Sequence, residues 1–352
     1  MKVFKTNGNL SLFVDNVDKE ETREKVQIKV THVMPTETDV NICSGTVKMN
    51  YPFVFGHMAI GVVSDNRYYT KEGELLPELK ISDDEVARRG LTVLQRGTKV
   101  VLNPYVVDSA EVSDSRGRVK MKGEDTDGFM QDFVFMDTDK FVPFPAGVED
   151  KEAIFADKIA IALAALNSFP QEKGEYVAIV GAGAIGNIIA QLALYFQMIP
   201  IVIDDNASRL AKAAEKGIYY TVNATKEVPV EKVKEITGGR MCEHTILEAT
   251  ATGTGSNIFS LTKVGGDCTV VCEHNAIKRF DADVSLISRR NLTVKGVSGG
   301  AFEYNSAINL LAQGVLDLDG FIEKTVEVEE ADRLLYDLKQ NSKAYYASVI
   351  KL

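Results

Sequence analysis

The sequence contains no long apolar run. No segment of the 352-residue chain approaches the roughly 18 consecutive apolar residues of a membrane-spanning helix, and the N-terminal stretch MKVFKTNGNLSLFVDN lacks an apolar core of signal-peptide length. Positive charge is also in deficit, because 40 Lys and Arg against 50 Asp and Glu give a net charge of −10. Such a chain is repelled by nucleic acids and by anionic membranes. We therefore expect a cytoplasmic protein whose partner is a small molecule, with no nucleic-acid partner and no membrane partner.

Cysteine is scarce, with four residues and no CxxC pair among them. Cys268 and Cys272 lie in GDCTVVCEH, where the alternation of a β-strand sends residues four apart to the same face. This spacing favours core filling over metal binding. The sequence therefore predicts buried free thiols in a reducing compartment.

The length and the residue pattern predict two domains. A chain of 352 residues is too long for one compact core. In the first part of the chain, short apolar alternations such as KVQIKVTHV, AIGVVSD and GTKVVLNPYVV are typical of a small barrel or sandwich. A polar insertion, NRYYTKEGELLPELKISDDEVARRG, ends in a predicted short helix with Ser82 as its N-cap. A second polar stretch, VDSAEVSDSRGRVKMKGEDTDG, is predicted to be a loop.

In the second part of the chain, strands and helices alternate. YVAIVGAGAIGNIIAQLALYFQM predicts a strand, a glycine turn and a helix, and IPIVIDDNASRLAKAAEKG predicts a strand and a helix with Gly217 just past its end. HTILEAT, DCTVVC and LTVKGVS are further predicted strands, separated by segments long enough for crossovers. This order predicts an α/β fold with a doubly wound parallel sheet. The final segment, AYYASVIKL, is predicted to form a strand that returns to the first domain.

The glycines between the first of these strands and its helix form a G-x-G-x-x-G motif. Gly181 permits a tight turn, Gly183 lets the backbone approach a pyrophosphate, and Gly186 lets helix and strand pack closely. Asp204 lies at the end of the next predicted strand, where a carboxylate can accept both ribose hydroxyls of a dinucleotide. The alternative is an ordinary glycine-rich turn, but glycines, strand and acid together favour a dinucleotide site.

The residue after Asp204 favours NAD(H) over NADP(H). Asp205 stands where an NADP site usually offers Arg to the 2′-phosphate, and two adjacent carboxylates would repel that group. Arg209 is the only nearby counter-charge, with a solvated helix face as its alternative role. The predicted cofactor-binding residues are Gly181, Gly183, Ala184, Ile185, Gly186, Asp204, Asp205 and Arg209.

Several segments in this order resemble the medium-chain dehydrogenase/reductase family, of the zinc alcohol dehydrogenase type. PTETDVNICSG is similar to the family's C-x-T-D-x-H segment, FVFGHMAIGVV to its G-H-E-x-x-G-x-V and GTKVVLNP to its G-D-R-V. DGFMQDFV, with FADKIAIALAAL after it, is similar to the branch that includes ribulose-5-phosphate reductases. The resemblance implies a GroES-like β-rich catalytic domain over residues 1–157 and 299–352, and a Rossmann dinucleotide-binding domain over residues 158–298. It also implies a homodimer or homotetramer.

By the same resemblance, the family's catalytic zinc ligands fall on Thr36, His57 and Asp157. Zinc prefers thiolate, imidazole and carboxylate, so a neutral Thr hydroxyl is a poor replacement. His57 and Asp157 are the only retained candidate ligands, although Glu37 is a conceivable third. We expect a metal-free site rather than a catalytic zinc. The family's structural zinc is excluded, since the corresponding segment contains no cysteine.

The resemblance also implies which groups surround the substrate oxygen, where hydride transfer develops negative charge. Thr38 matches a hydroxyl that relays a proton, whereas the usual terminal histidine of that relay falls on Asn41. Asp39 matches a carboxylate that orients His57. Lys158 is a candidate for stabilising the developing alkoxide or for binding a substrate phosphate or carboxylate, with a purely structural ion pair as its alternative. The predicted catalytic residues are Thr36, Thr38, His57, Asp157 and Lys158.

These features predict an NAD-dependent oxidoreductase that interconverts an alcohol and a ketone or aldehyde on a polyol or sugar(-phosphate)-like substrate. One alternative is a zinc-free quinone or enone reductase of the same fold, which would not need His57 or Asp157. The other is a non-catalytic NAD-binding protein, which would bind NADH without turning over a carbonyl.

Overall fold

The computed structural model describes most of the chain as two compact units. The first is Met1–Ala156 with Gly320–Leu352, and the second is Asp157–Asp319. Among the described residues, no helix combines the length and the apolarity that crossing a bilayer requires. The described residues are 1–18, 22–106, 120–248, 258–272, 282–341 and 346–352.

Strands dominate the first unit, and strands and helices alternate in the second. In the first run of the chain the strands are β1 (Lys2–Thr6), β2 (Leu12–Asn16), β3 (Val26–Met34), β4 (Met58–Val63), β5 (Arg67–Tyr69), β6 (Thr92–Leu94), β7 (Lys99–Leu102), β8 (Tyr105–Val106), β9 (Lys120–Met121), β10 (Phe133–Met136) and β11 (Phe141–Pro143). The helices of that run are α1 (Glu37–Cys43), α2 (Asp83–Arg89) and α3 (Asp150–Ala153). Next come α4 (Ala156–Leu166), β12 (Tyr176–Val180), α5 (Ala184–Tyr195), β13 (Ile199–Asp204), α6 (Ala207–Glu215), β14 (Tyr220–Asn223), α7 (Pro229–Ile236), β15 (Cys242–Glu248), α8 (Ile258–Leu261), β16 (Thr262–Val271), α9 (Ser285–Arg289), β17 (Thr293–Val297) and α10 (Tyr304–Ala312). The chain ends with β18 (Ile322–Glu327), α11 (Ala331–Gln340) and β19 (Ala347–Lys351).

A seven-stranded sheet organises the first unit, in the order β11-β7-β4-β3-β19-β18 with β10 also paired to β3. Its pairs are antiparallel except for β18 and β19. Ile350 of β19 lies opposite Val33 of β3, which confirms that the final strand returns to the first domain. Met34, the last residue of β3, lies opposite Met58, the first of β4. The residues just after β3 and just before β4 therefore lie close together, at the same end of these two neighbouring strands.

The six strands of the second unit are all parallel, in the order β14-β13-β12-β15-β16-β17. The chain builds outward from β12 to β14 and then resumes on the other side of β12 with β15. The predicted doubly wound parallel sheet is confirmed. In such sheets a ligand binds outside the carboxyl ends of the strands at the point where the order reverses, which here lies between β12 and β15.

The second unit extends further along the chain than the predicted boundary at residue 299. An added Cβ on Gly300 would lie 2.3 Å from the carbonyl carbon of Ala160 in α4, so the backbone after β17 packs directly on that helix. Further on, the side-chain amide of Gln191 accepts from the Asp317 N–H at 2.8 Å and donates to the Asp317 carbonyl at 3.1 Å. These contacts keep the chain in the second unit as far as Asp319.

Two local predictions from the polar stretches have different outcomes. The short helix with its Ser82 cap is confirmed as α2, since Ser82 Oγ accepts from the Glu85 N–H at 3.4 Å and Gly90 ends the helix in the left-handed conformation. The predicted loop over residues 107–128 falls largely on residues 107–119, which lie outside the described residues.

The cysteines are free thiols, as predicted. Cys43, Cys242 and Cys268 are buried, and Cys272, just past β16, is half-buried. Burial raises the pKa of the Cys268 thiol to about 11. Cys43, Cys242 and Cys268, whose thiol pKa values are all raised by burial, therefore serve as small core residues in the protonated form.

Candidate cofactor and catalytic site

The turn after β12 has a backbone conformation that favours glycine. Gly181 has a φ of +113°, and its N–H donates to the Ile203 carbonyl of β13 at 2.8 Å. Gly183 is the N-cap residue of α5 and supplies no side-chain cap. The dipole of this twelve-residue helix favours an anion at its first amide groups.

Gly183 and Gly186 lack a side chain for different reasons. A Cβ on Gly186 would lie 1.9 Å from the Gly181 carbonyl oxygen, so turn and helix touch through their backbones. A Cβ on Gly183 would meet Glu248 Oε2 at 3.5 Å, an ordinary van der Waals distance. Gly186 is therefore required by packing, whereas Gly183 has room for a Cβ and has the Glu248 carboxylate as its neighbour.

Asp204 connects the end of β13 to this turn. Its Oδ2 accepts from the Ala182 N–H at 2.6 Å, and its Oδ1 accepts from the Asn206 N–H at 2.7 Å. Burial raises the pKa of the Asp204 carboxyl, and the two N–H donors and the nearby Arg209 charge oppose that shift. The carboxylate is thus fixed beside the glycines, with lone pairs that can still accept ribose hydroxyls.

The structure brings the predicted cofactor residues together at the carboxyl ends of β12 and β13. Asp205 is exposed next to Asp204, and Arg209 lies in the first turn of α6, where its N–H donates to Asn206 Oδ1 at 3.2 Å. Ala184 and Ile185 are buried at the start of α5. Their roles in cofactor binding stay predictions.

Glu248 is a residue of this site that the sequence reasoning missed. It is the last residue of β15, is 6% exposed and approaches Gly183 from the other side of the switch point. The available signal was an acid at the end of a predicted strand, in HTILEAT. A carboxylate near the N-terminus of α5 also interacts favourably with the helix dipole.

In the first unit, two of the predicted catalytic residues, Thr36 and Thr38, lie at the start of α1. Thr36 is the N-cap of α1, and its hydroxyl donates to Asp39 Oδ2 at 3.0 Å while its N–H donates to the same oxygen at 2.8 Å. The other carboxylate oxygen of Asp39 accepts from the Gly56 N–H at 2.9 Å. Asp39 is fully buried and therefore ties the start of α1 to the residue before His57.

His57 lies beside this carboxylate without a close hydrogen bond to it. Its Nδ1 is 3.6 Å from Asp39 Oδ2, which is a charge contact rather than a hydrogen bond. His57 and Thr38 are both buried, at 3% exposure each, whereas Glu37 is exposed. The structure thus groups Thr36, Asp39 and His57, and the catalytic roles of these residues stay predictions.

Asn41, at the position of the relay histidine, has a partner that sequence reasoning also missed. Lys339 Nζ of α11 donates to Asn41 Oδ1 at 3.0 Å and to Thr46 Oγ1 at 2.8 Å. The Lys339 ammonium group lies at the C-terminal end of α1, where the helix dipole stabilises a cation. Only the folded chain reveals this contact, because 298 residues separate Lys339 from Asn41.

In the second unit, Asp157 and Lys158 lie in the first turn of α4, and both are buried. The Tyr304 hydroxyl, from the start of α10, donates to Asp157 Oδ1 at 2.8 Å. No sequence pattern predicts this contact of Tyr304, because it joins residues 147 apart. Asp157 and Lys158 stay predicted catalytic residues.

The chemistry of position 36 does not fit a zinc ligand. The Thr36 hydroxyl is neutral and donates its proton to Asp39, whereas zinc binds an ionised or imidazole donor. Within the described ranges, His, Cys, Asp and Glu side chains do not gather in threes in a way that would hold a metal ion. The absence of a catalytic zinc stays a prediction.

Comparison with known proteins gives similarity over nearly the whole chain. The zinc-binding dehydrogenase family model matches residues 184–313. An uncharacterized zinc-type alcohol dehydrogenase-like protein of Haemophilus influenzae is 26% identical over 334 residues, covering 93% of this chain and 91% of that protein. Mouse sorbitol dehydrogenase is 25% identical, with 82% of this chain and 77% of that protein covered. D-arabitol-phosphate dehydrogenase of Enterococcus avium is 25% identical, with coverage of 90% and 88%.

Solved structures share the fold. Alcohol dehydrogenase TADH from Thermus sp. ATN1 superposes with a TM-score of 0.80 at 20% identity, covering 100% of this chain and 99% of that one. A zinc-binding dehydrogenase from Sinorhizobium meliloti 1021 bound to NADP has a TM-score of 0.81 at 19% identity, with the same coverage. The alcohol dehydrogenase rspB from E. coli CFT073 in complex with NADH has a TM-score of 0.80 at 18% identity, again with 100% and 99% covered. In sequence, in its matched domain and in its fold, the chain is therefore similar to the zinc-type dehydrogenases of the medium-chain dehydrogenase/reductase family.

Proposed function

We propose that this chain is an NAD(H)-dependent oxidoreductase that interconverts an alcohol and a ketone or aldehyde on a polyol or sugar-like substrate. The observation that carries the proposal is the glycine turn at the switch point, with Asp204 bonded to the Ala182 N–H inside it. The turn offers backbone without side chains and a helix N-terminus to the diphosphate, and Asp204 offers a carboxylate to the adjacent ribose.

The preference for NAD(H) rests on charge. Asp204 and Asp205 stand side by side at the end of β13, and Asp205 is exposed. A 2′-phosphate on the adenosine ribose would add negative charge next to both. Arg209 lies in the first turn of α6 as the opposing charge. NADP is bound in one structure of the same fold and NADH in another, so the fold itself accommodates both cofactors.

The names of relatives and one buried residue of the second unit support the proposed substrate class. Sorbitol dehydrogenase and D-arabitol-phosphate dehydrogenase act, by their names, on a polyol and a polyol phosphate. Buried Lys158 is a cation suited to a substrate phosphate or to a developing alkoxide. A homodimer or homotetramer remains a prediction.

Bound nicotinamide supplies the hydride, and the chain's own side chains handle the proton and the developing charge. On the first unit, the Thr38 hydroxyl and the His57 imidazole are the proton-carrying groups, and His57 Nδ1 lies 3.6 Å from Asp39 Oδ2. On the second unit, the charged side chains among the predicted catalytic residues are Asp157 and Lys158. Their burial strengthens each electrostatic contact, because little water is available to screen it.

The first experiment is a titration of the purified chain with NADH and NADPH, followed by a carbonyl screen of ketoses, ketose phosphates, simple ketones, a quinone and an enone. We expect NADH to bind more tightly than NADPH and a ketose or ketose phosphate to be reduced. A chain that binds neither cofactor would contradict the proposal. Cofactor binding without turnover on any compound would favour the non-catalytic NAD-binding protein.

Substitution of His57 separates carbonyl reduction from reduction of a C=C bond. We expect His57→Asn to lower kcat/KM for the carbonyl by about 100-fold or more, with NADH affinity unchanged, because the imidazole handles the substrate proton. His32→Asn is the matched control, since His32 is half-buried and bonds only locally to Thr31 at 3.0 Å. If quinone or enone reduction dominates and His57→Asn leaves it intact, the zinc-free reductase is the better description. Metal analysis of the same protein, purified without chelator, tests the prediction of a zinc-free site.

A further inference from the structure

Tyr304 and Asp157 form a buried hydrogen-bonded pair in the second unit. The distance from the Tyr304 hydroxyl to Asp157 Oδ1 is 2.8 Å, and the two residues are 2% and 3% exposed. We propose that Tyr304 is a positioning residue of the reaction, which holds the Asp157 carboxylate in one orientation so that Oδ2 is the oxygen presented to the reacting groups. This inference rests on the proposed function, in which Asp157 is a catalytic residue.

The direction of the hydrogen bond follows from the chemistry of the two groups. An ionised carboxylate can only accept, and the phenol hydroxyl is the donor that a buried carboxylate requires. A hydrogen bond to a charged acceptor in a buried site is stronger than one between neutral groups. The pair therefore fixes the orientation of the Asp157 carboxylate.

The backbone holds Tyr304 in register with Asp157. Gly300 packs on the backbone of Ala160, where a Cβ would lie 2.3 Å from the carbonyl carbon. Glu303 Oε1 accepts from the Asn167 side-chain amide, just past the end of α4, at 3.0 Å. The segment that leads into α10 thus touches α4 in its second turn and again beyond its C-terminus. Tyr304, the first residue of α10, cannot move along α4 without breaking both contacts.

The position of Tyr304 predicts an effect on turnover rather than on cofactor affinity. Its hydroxyl acts on Asp157 in α4, whereas the cofactor turn is built from the ends of β12 and β13 and the start of α5. Without the Tyr304 hydroxyl, the Asp157 carboxylate would lose a hydrogen-bond donor, and its side chain would be less restricted to one rotamer. Partners that orient a catalytic group typically contribute 10- to 100-fold to activity.

The test compares Tyr304→Phe with Tyr219→Phe in the full-length chain. Tyr304→Phe removes the hydroxyl and retains the ring, and Tyr219 is 86% exposed, which makes it the matched control. For Tyr304→Phe we expect kcat to fall by about 10- to 100-fold while the NADH dissociation constant stays within about twofold. Tyr219→Phe should match the parent in both kcat and the NADH dissociation constant. A parent-like kcat in Tyr304→Phe overturns the inference, and so does loss of NADH binding, because the role would then be structural.

A double-mutant cycle with Asp157→Asn shows whether Tyr304 acts through Asp157. We expect Tyr304→Phe combined with Asp157→Asn to be no slower than Asp157→Asn alone, because the carboxylate to be oriented is already absent. Additive losses would overturn the inference. The outcomes are distinct from failure of the proposed function, which would appear in the parent chain as an absence of NADH binding and turnover.

Discussion

The Thr36 hydroxyl donates a hydrogen bond to the Asp39 carboxylate at 3.0 Å. Thr36, which stands at the position of one of the family's zinc ligands, therefore stabilises the local fold. The two side chains form a capping box, in which the Thr36 N–H also reaches Asp39 Oδ2 at 2.8 Å. Because Gly56 N–H donates to the other carboxylate oxygen at 2.9 Å, the same acid fixes the chain beside His57. Asp39 thus orders one wall of the candidate site by accepting hydrogen bonds from both sides.

We expect Asp39→Ala to destabilise the first unit by about 2–4 kcal/mol, because three donors lose a buried charged acceptor. Urea unfolding followed by circular dichroism measures this loss. Asp139→Ala, at a carboxylate that is 69% exposed, is the control and should change the free energy of unfolding by less than about 0.5 kcal/mol. Equal stability of the two variants would show that the Asp39 hydrogen bonds contribute little.

The two glycines of the cofactor turn should respond differently to the same added methyl group. In Gly183→Ala the methyl meets Glu248 at an ordinary distance and φ is −67°, so we expect a parent-like melting temperature but NADH affinity lower by at least about tenfold. In Gly186→Ala the methyl would lie 1.9 Å from a carbonyl oxygen, so we expect a clear loss of stability. Calorimetric titration and thermal melting of both variants measure these effects. Unchanged NADH affinity in Gly183→Ala would refute a pyrophosphate at this face.

Local sequence patterns predicted the second unit well, because its determinants are close in the chain. The glycine spacing, the apolar strands and Asp204 specify the β12–α5–β13 segment within about one supersecondary unit, and the structure has the same arrangement. The end of the second unit at Asp319 depends on how Gly300 and Asp317 pack on helices that are remote in sequence. Periodicity carries no information about such packing.

The candidate catalytic residues show where sequence reasoning ends. The capping box of Thr36 and Asp39 joins residues only three apart, yet it was not among the predictions. The contacts of Tyr304 with Asp157 and of Lys339 with Asn41 join residues 147 and 298 apart. Only the three-dimensional fold brings such residues together.

The charge at Asp205 should control discrimination between the two nicotinamide cofactors. We expect Asp205→Asn to strengthen NADPH binding by about fivefold, with NADH affinity changed by less than about twofold, because one exposed charge near a phosphate is worth about 1 kcal/mol. Fluorescence titration with both cofactors measures the ratio. Glu215→Gln, at the exposed C-terminal end of the same helix α6, is the control. An NADPH affinity that does not respond to Asp205→Asn would assign the preference to another residue.

The buried carboxylate of Asp204 should make fold stability and cofactor affinity change in opposite directions with pH. Burial raises its pKa above the ordinary value of 3.8, so the folded chain retains the proton to a higher pH than the unfolded chain does. The stability that this group contributes is therefore present below about pH 3.8 and is lost as pH rises through the raised pKa. The ionised form accepts ribose hydroxyls better, so NADH affinity should rise over the same interval.

Asp204→Asn removes this titration, which makes it the variant for comparison. We expect the melting temperature of the parent, relative to Asp204→Asn, to fall as pH rises from about 4 and then to level off. NADH should bind the parent more tightly than the variant, by a margin that grows over the same pH range. Thermal melting and calorimetric titration at matched ionic strength measure the two quantities. A parent that gains stability relative to Asp204→Asn with rising pH would mean that the hydrogen bonds from Ala182 and Asn206 outweigh burial at this carboxylate.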